Sequence, residues 1–174
     1  MRKTPMVDVI RSGGKSAVVT LPKPTQILIQ REFAVPKHLV YKAWTTPELV
    51  QRWWSGQRGQ VTSAEIDLRV GGKWRYVMIA HGEFEVGFHG EYRQIVPNQR
   101  IVSTEVYEQA DAKDPDAIPV VNTITFEEHN GVTTLTILTD CPSQEVRDII
   151  INSGMEGGMQ EAMDLLEQVA ISLR

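Results

Sequence analysis

From Met155 to the C-terminus, apolar side chains recur at three- and four-residue steps: Met155, Met159, Met163, Leu166, Val169 and Leu173. Glu156, Glu161, Glu167 and Gln168 take the positions between them. This spacing predicts one amphipathic helix with a single apolar stripe. No other helical run in the chain is as long. Whatever sheet the remaining residues form, this helix must cover its apolar face.

The rest of the sequence reads mostly as strand. Ile27, Ile29, Arg31 and Phe33 alternate with Leu28, Gln30 and Glu32, so one face of this run is buried. Pro36 ends it. Leu39, Val40, Ala43 and Trp44 then fall at helical spacing, and Thr46-Pro47-Glu48 opens a second short helix carrying Leu49, Val50, Trp53 and Trp54. Val61 to Val70 and Lys73 to Ala80 flank Gly71-Gly72, which predicts a two-residue hairpin loop. Glu83 to Ile95 contains Gly87 and Gly90, where a long strand is expected to bend. Arg100 to Glu108 follows the Pro97-Asn98 turn. A polar loop is expected from Gln109 to Pro119. Pro119 to His129 and Val132 to Asp140 flank Asn130-Gly131, a strong hairpin signal. Ser143 is placed to cap a short helix through Ile150, ending near Asn152 ahead of Gly154, Gly157 and Gly158.

One strand, two short helices, about six antiparallel strands and a terminal helix make an α+β domain. A bent sheet does not close flush on one helix, so a cavity of a few hundred Å3 is expected between the terminal helix and the strands carrying Trp74, Tyr76, Met78 and Phe88. Residues 1–24 read as an N-terminal hairpin extension, with arms at Val7 to Ile10 and Ala17 to Leu21. Residues 25–174 read as the main domain.

Charge and cysteine usage narrow the function classes. The formal charge is −4 and the pI about 5.6, which argues against nucleic acid and against anionic membranes as partners. Cys141 is the one cysteine, so no disulfide forms within the chain, and a reducing compartment, the cytoplasm, is expected. Neither a signal peptide nor a membrane-spanning run is expected.

The candidate ligand-binding residues are Trp74, Tyr76, Met78, Phe84 and Phe88 on the strands and Met155, Met159 and Met163 on the terminal helix. Thioethers adapt to irregular apolar ligands, and rings offer rigid apolar walls. Each of these residues also fits a plain core. Arg31 lies on the apolar parity of its strand and needs a partner if it points inward. Asp67 is the expected partner, either in a structural ion pair or as part of a clamp for a ligand carboxylate. His81, Glu83, Glu85, His89 and Glu91 have even spacing, but a solvated strand face explains them better than a metal site. No cofactor and no metal are expected. The nucleophile elbow, the phosphate loop and the dinucleotide glycine pattern are absent. Acid–base chemistry would need one buried group; His89, Glu105 and Tyr76 are the candidates.

Several segments together resemble a known superfamily. They are Arg31-Glu32-Phe33-Ala34-Val35-Pro36, Val40-Tyr41-Lys42-Ala43-Trp44-Thr45, Pro47-Glu48-Leu49 with Arg52-Trp53-Trp54, Asp67 through Trp74, Gly90 through Pro97, and Ser153 through Met159. In this order they resemble the START-like (SRPBCC) or helix-grip superfamily. More narrowly, they resemble bacterial relatives of the C-terminal domain of the activator of the 90-kDa heat-shock protein ATPase. The resemblance covers about residues 26 to 172. It implies a curved antiparallel sheet wrapped around the terminal helix, with an internal cavity. The function expected is binding of a small apolar or amphipathic molecule. Two alternatives accompany it: a co-chaperone-like role with a chaperone partner or a homodimer, and a cofactor-free cyclase or dehydratase.

Overall fold

The computed structural model of the protein describes residues 16–109 and 118–174. In chain order the elements are β1 (Val18–Thr20), β2 (Gln26–Phe33), α1 (Lys37–Thr45), α2 (Pro47–Trp53), β3 (Gly59–Ile66), β4 (Lys73–Ala80), β5 (Phe84–Val96), β6 (Arg100–Gln109), β7 (Val120–His129), β8 (Val132–Asp140), α3 (Gln144–Asn152) and α4 (Met155–Ser172). The strands form one antiparallel sheet in the order β1-β2-β8-β7-β6-β5-β4-β3. None of the described helices is long and apolar enough to cross a membrane.

Local chemistry accounts for most element ends. Pro47 occupies the first turn of α2, where a missing N–H costs nothing. The Ser143 side chain accepts a hydrogen bond from the Val146 N–H at 3.2 Å and starts α3. Asn130 and Gly131 have φ of 53° and 79°, the conformation that a tight hairpin between β7 and β8 demands. Gly71-Gly72 behaves differently from the two-residue loop expected. The β3–β4 connection runs from Asp67 to Gly72. Its glycines exchange hydrogen bonds with Tyr92 on β5, Gly71 donating to the Tyr92 carbonyl and Tyr92 donating to Gly72. A side chain at Gly72 would strike the Asp67 carbonyl. Gly71 has a φ of 83°, so the glycines serve the tight fold of this loop, Gly71 through its left-handed backbone and Gly72 through its close approach to Asp67.

The concave face of the sheet carries the core. Phe33, Ile101, Ile124, Phe126 and Leu135 meet Val40 and Val50 of the short helices and Met163, Leu166, Val169 and Ala170 of α4. Thr133 is buried here, and its hydroxyl donates to the Val35 carbonyl at 2.6 Å, so the polar atom is satisfied. A second cluster, of Ala17, Val19, Ile27, Ile29, Val120 and Cys141, lies toward β1 and α3. The Gln160 side chain accepts from the Ala17 N–H at 2.9 Å and donates to the Ala17 carbonyl at 2.8 Å, tying the β1 segment to α4. The other expected arm of the N-terminal hairpin, Val7 to Ile10, lies outside the described residues, as does most of the polar loop after β6.

Candidate functional site

The hollow in the concave face is about 50 Å3 and lies beneath α1 and α2, above the middle of β6 and β7. It has room for a few waters or one small chemical group. All four tryptophans of the chain line it: Trp44 from α1, Trp53 and Trp54 at the end of α2, and Trp74 from β4. Tyr76 and Tyr92 complete the aromatic walls. The rings pack at angles to one another, Trp44 on Trp53 at 4.9 Å, Trp54 on Tyr76 at 5.3 Å and Trp74 on Tyr76 at 4.8 Å between centroids.

The backbone prepares this arrangement. At Gly90 a Cβ would collide with the Thr104 carbonyl and the Trp74 indole nitrogen. With none there, the Trp74 indole crosses β5 and donates to the Thr104 carbonyl at 3.2 Å. The Glu91 N–H turns to the Thr104 hydroxyl at 2.9 Å. Trp53 is fixed from the other side, its indole N–H donating to the Ala43 carbonyl at 2.9 Å. Trp54 is only half-buried.

Polar groups form the floor. Ser103 and Glu105 of β6 and Asn122 of β7 line the hollow beside Ile101 and Ile124. The Thr139 hydroxyl donates to Asn122 Oδ1 at 2.6 Å, and Asn122 Nδ2 donates to Glu105 Oε2 at 3.4 Å. The first bond fixes which end of the amide faces the carboxylate. Burial raises the Glu105 pKa above its ordinary value, and the Asn122 bond opposes that only in part. Burial also pushes the Tyr76 phenol well up, with the nearby Tyr92 and Glu105 adding to it, and raises Tyr92. Both phenols therefore keep their protons at neutral pH. Such a floor can hold the polar end of a molecule whose remainder contacts the rings.

Of the residues expected to bind ligand, Trp74 and Tyr76 line this hollow. Met78 is packed in a separate small cluster with Val61, Ala80 and Val86. Phe88 lies against Trp54 at 4.8 Å and Tyr107 at 5.1 Å, outside the lining. Phe84 is 52% exposed at the start of β5. Met163 is part of the main core, Met155 packs on the second cluster, and Met159 touches both. Apart from Phe84, the expected lining residues are thus divided among three packed clusters, and the hollow is far below a few hundred Å3. Arg31 is buried as its parity implied, but its partner is not Asp67. Its guanidinium pairs with Asp164 at 2.9 Å and Glu167 at 3.6 Å, both on α4, and lies 4.8 Å from the Phe33 ring. Asp67 pairs instead with Arg69 at 2.8 Å on the surface. Arg31 thus docks the terminal helix and does not reach the hollow.

His89 and Glu108 are 3.0 Å apart, and Arg75 joins the same carboxylate at 3.1 Å, across Gly87 on the convex face. Among the described residues no group of histidine, cysteine and acidic side chains is arranged to hold a metal ion. Cys141 is buried away from the hollow, and burial raises its thiol pKa, so it is a packing residue.

The sequence reading missed Trp44, Trp53, Trp54, Tyr92, Ser103 and Asn122 as site residues. One signal was available for the floor. Ile101, Ser103 and Glu105 share a parity, so an acid on an inward-facing row was visible, as it was for Arg31.

The family described as Activator of Hsp90 ATPase homolog 1-like protein matches residues 34–170. No curated protein matches the chain. Several solved structures share the fold. A protein from Rhodobacter sphaeroides superposes with a TM-score of 0.80 at 22% identity, covering 91% of this chain and 99% of its own. One from Nitrosomonas europaea gives 0.76 at 21% identity, over 87% and 97%. One from Staphylococcus epidermidis gives 0.73 at 26% identity, over 87% and 93%. The likeness to these structures is a likeness of fold, the curved antiparallel sheet gripping a C-terminal helix.

Proposed function

The chain belongs to the Activator of Hsp90 ATPase homolog 1-like protein family, and from that premise we propose that it binds a small apolar or amphipathic molecule in the tryptophan-walled hollow under α1 and α2. One observation carries the reading. A partly buried carboxyl, Glu105, sits at the floor of an otherwise aromatic space and has only the Asn122 amide as a described hydrogen-bond partner. A folded chain gains nothing by placing an acid there unless something else meets it. Apolar walls with few convergent polar groups are the usual composition of a ligand site.

A hollow of about 50 Å3 takes only one end of an amphipathic molecule. Larger molecules enter by displacing the half-buried Trp54. Because every tryptophan lines the space, intrinsic fluorescence reports on it directly. The neutral dye N-phenyl-1-naphthylamine should bind with micromolar affinity and accept excitation energy from the tryptophans. Ser103→Leu places a branched side chain into the floor and should abolish the energy transfer with the fold retained. Equal dye binding by Ser103→Leu and the parent protein would contradict the reading.

A further inference from the structure

We propose that the ligand of this hollow carries a positive charge: a small organic cation, such as a methylated or protonated amine, held over the aromatic faces with Glu105 as its counter-charge. The inference rests on the ligand-binding reading above and names the class of molecule that the site takes.

Arg31 pairs with Asp164 and Glu167, Arg58 with Glu161, Arg69 with Asp67, Arg75 with Glu108, and Arg147 with Asp148. Glu105 has no such partner among the described residues, and no lysine, arginine or histidine lines the hollow. Its one described hydrogen bond is a long one, at 3.4 Å, from a neutral amide. Removing a carboxylate from water without a counter-charge is unfavourable, and a cation arriving with the ligand relieves that.

A π-face attracts a cation and gains most when water is excluded, with tryptophan the strongest of the rings. Here four indoles and two phenols converge on one space, and the carboxyl stands on its floor. A neutral hydrocarbon of the same shape would touch the same rings but leave Glu105 without a charge partner. An anion would meet both the ring faces and the carboxylate unfavourably. The small volume fits a compact head group.

The test uses the full chain and two probes of matched shape, choline and its uncharged isostere 3,3-dimethyl-1-butanol, titrated against tryptophan fluorescence. The expected result is that choline binds at least tenfold more tightly than the isostere. Glu105→Gln should erase that preference, while Glu108→Gln, on the convex side of the same strand, should preserve it. Equal affinity for the two probes would overturn the cation assignment and leave the hollow standing as a site for neutral ligands, and a preference that survives in Glu105→Gln would overturn Glu105 as the counter-charge. If neither probe nor the naphthylamine dye perturbs the tryptophans, both the assignment and the ligand-binding reading fall.

Discussion

The concave face of this sheet has two ends that share strands and differ in what covers them. Under α4, Phe33, Phe126 and Leu135 meet Met163, Leu166 and Val169 in close packing, and the one charge that points inward, Arg31, is answered by Asp164 and Glu167. Under α1 and α2, indole and phenol rings meet at angles over Ser103, Glu105 and Asn122, and a hollow remains. Aliphatic and thioether side chains interdigitate at the first end, while at the second the four indoles and two phenols surround a space that they do not fill. The stabilising core and the candidate site are thus neighbours on one surface, separated by side-chain shape and by whether a buried charge has a partner.

The largest expected effect falls at the packed end. Met163 is 3% exposed, and Met163→Asp would leave an unpaired carboxylate there. It should cost about 4 kcal/mol or more and leave the chain unfolded or molten at room temperature. Leu166, fully buried, should lose about 2–5 kcal/mol on replacement by alanine in denaturant unfolding. A loss below about 1 kcal/mol would mean that this end is not packed as described.

Gly90→Ala acts at the boundary of the hollow. The added methyl meets the Thr104 carbonyl and the Trp74 indole, so strand or ring must shift. A loss of about 1–3 kcal/mol is expected, with a change in tryptophan emission as the Trp74 bond to Thr104 breaks. Unchanged stability and emission would remove the close approach from the account.

The smallest effect is in pH dependence. Burial raises the Glu105 pKa above the ordinary 4.5, so above that pH the folded state keeps a proton that the unfolded chain has released. Stability is then highest below about pH 4.5 on this group's account and falls as pH rises through the raised value. Glu156, also raised by burial, contributes a slope of the same sign. Glu105→Gln should flatten the fall in melting temperature over that window and leave the Glu156 part. An identical pH profile in the variant would place Glu105 in water.

Elements were easier to read from the sequence than the site. β4 and β8 begin and end at Lys73–Ala80 and Val132–Asp140, where the flanking turn signals put them, and Ser143 caps α3 as its position implied. These features depend on neighbours within a few residues. The hollow depends on rings from α1, α2, β4 and β5 converging over β6 and β7, and no local pattern records that convergence. Gly71-Gly72 and Gly90 show the same limit. Gly71-Gly72 looks like a two-residue hairpin loop but belongs to a longer one that also bonds to Tyr92, and Gly90 looks like a bend but admits the Trp74 indole to the Thr104 carbonyl. Arg31 was legible as buried from its parity, but its partners lie on an element more than a hundred residues away.

The central claim is that molecules enter at the ring-walled end of the sheet and not under α4. Two-dimensional NMR of the full chain, titrated with N-phenyl-1-naphthylamine, tests it most directly, because the two ends carry separate reporters. The indole N–H signals of Trp44, Trp54 and Trp74 should shift and saturate together, while the Met163 methyl and the Arg31 guanidinium N–H stay in place. Saturable shifts at Met163 and Arg31 with the indoles unmoved would contradict the account.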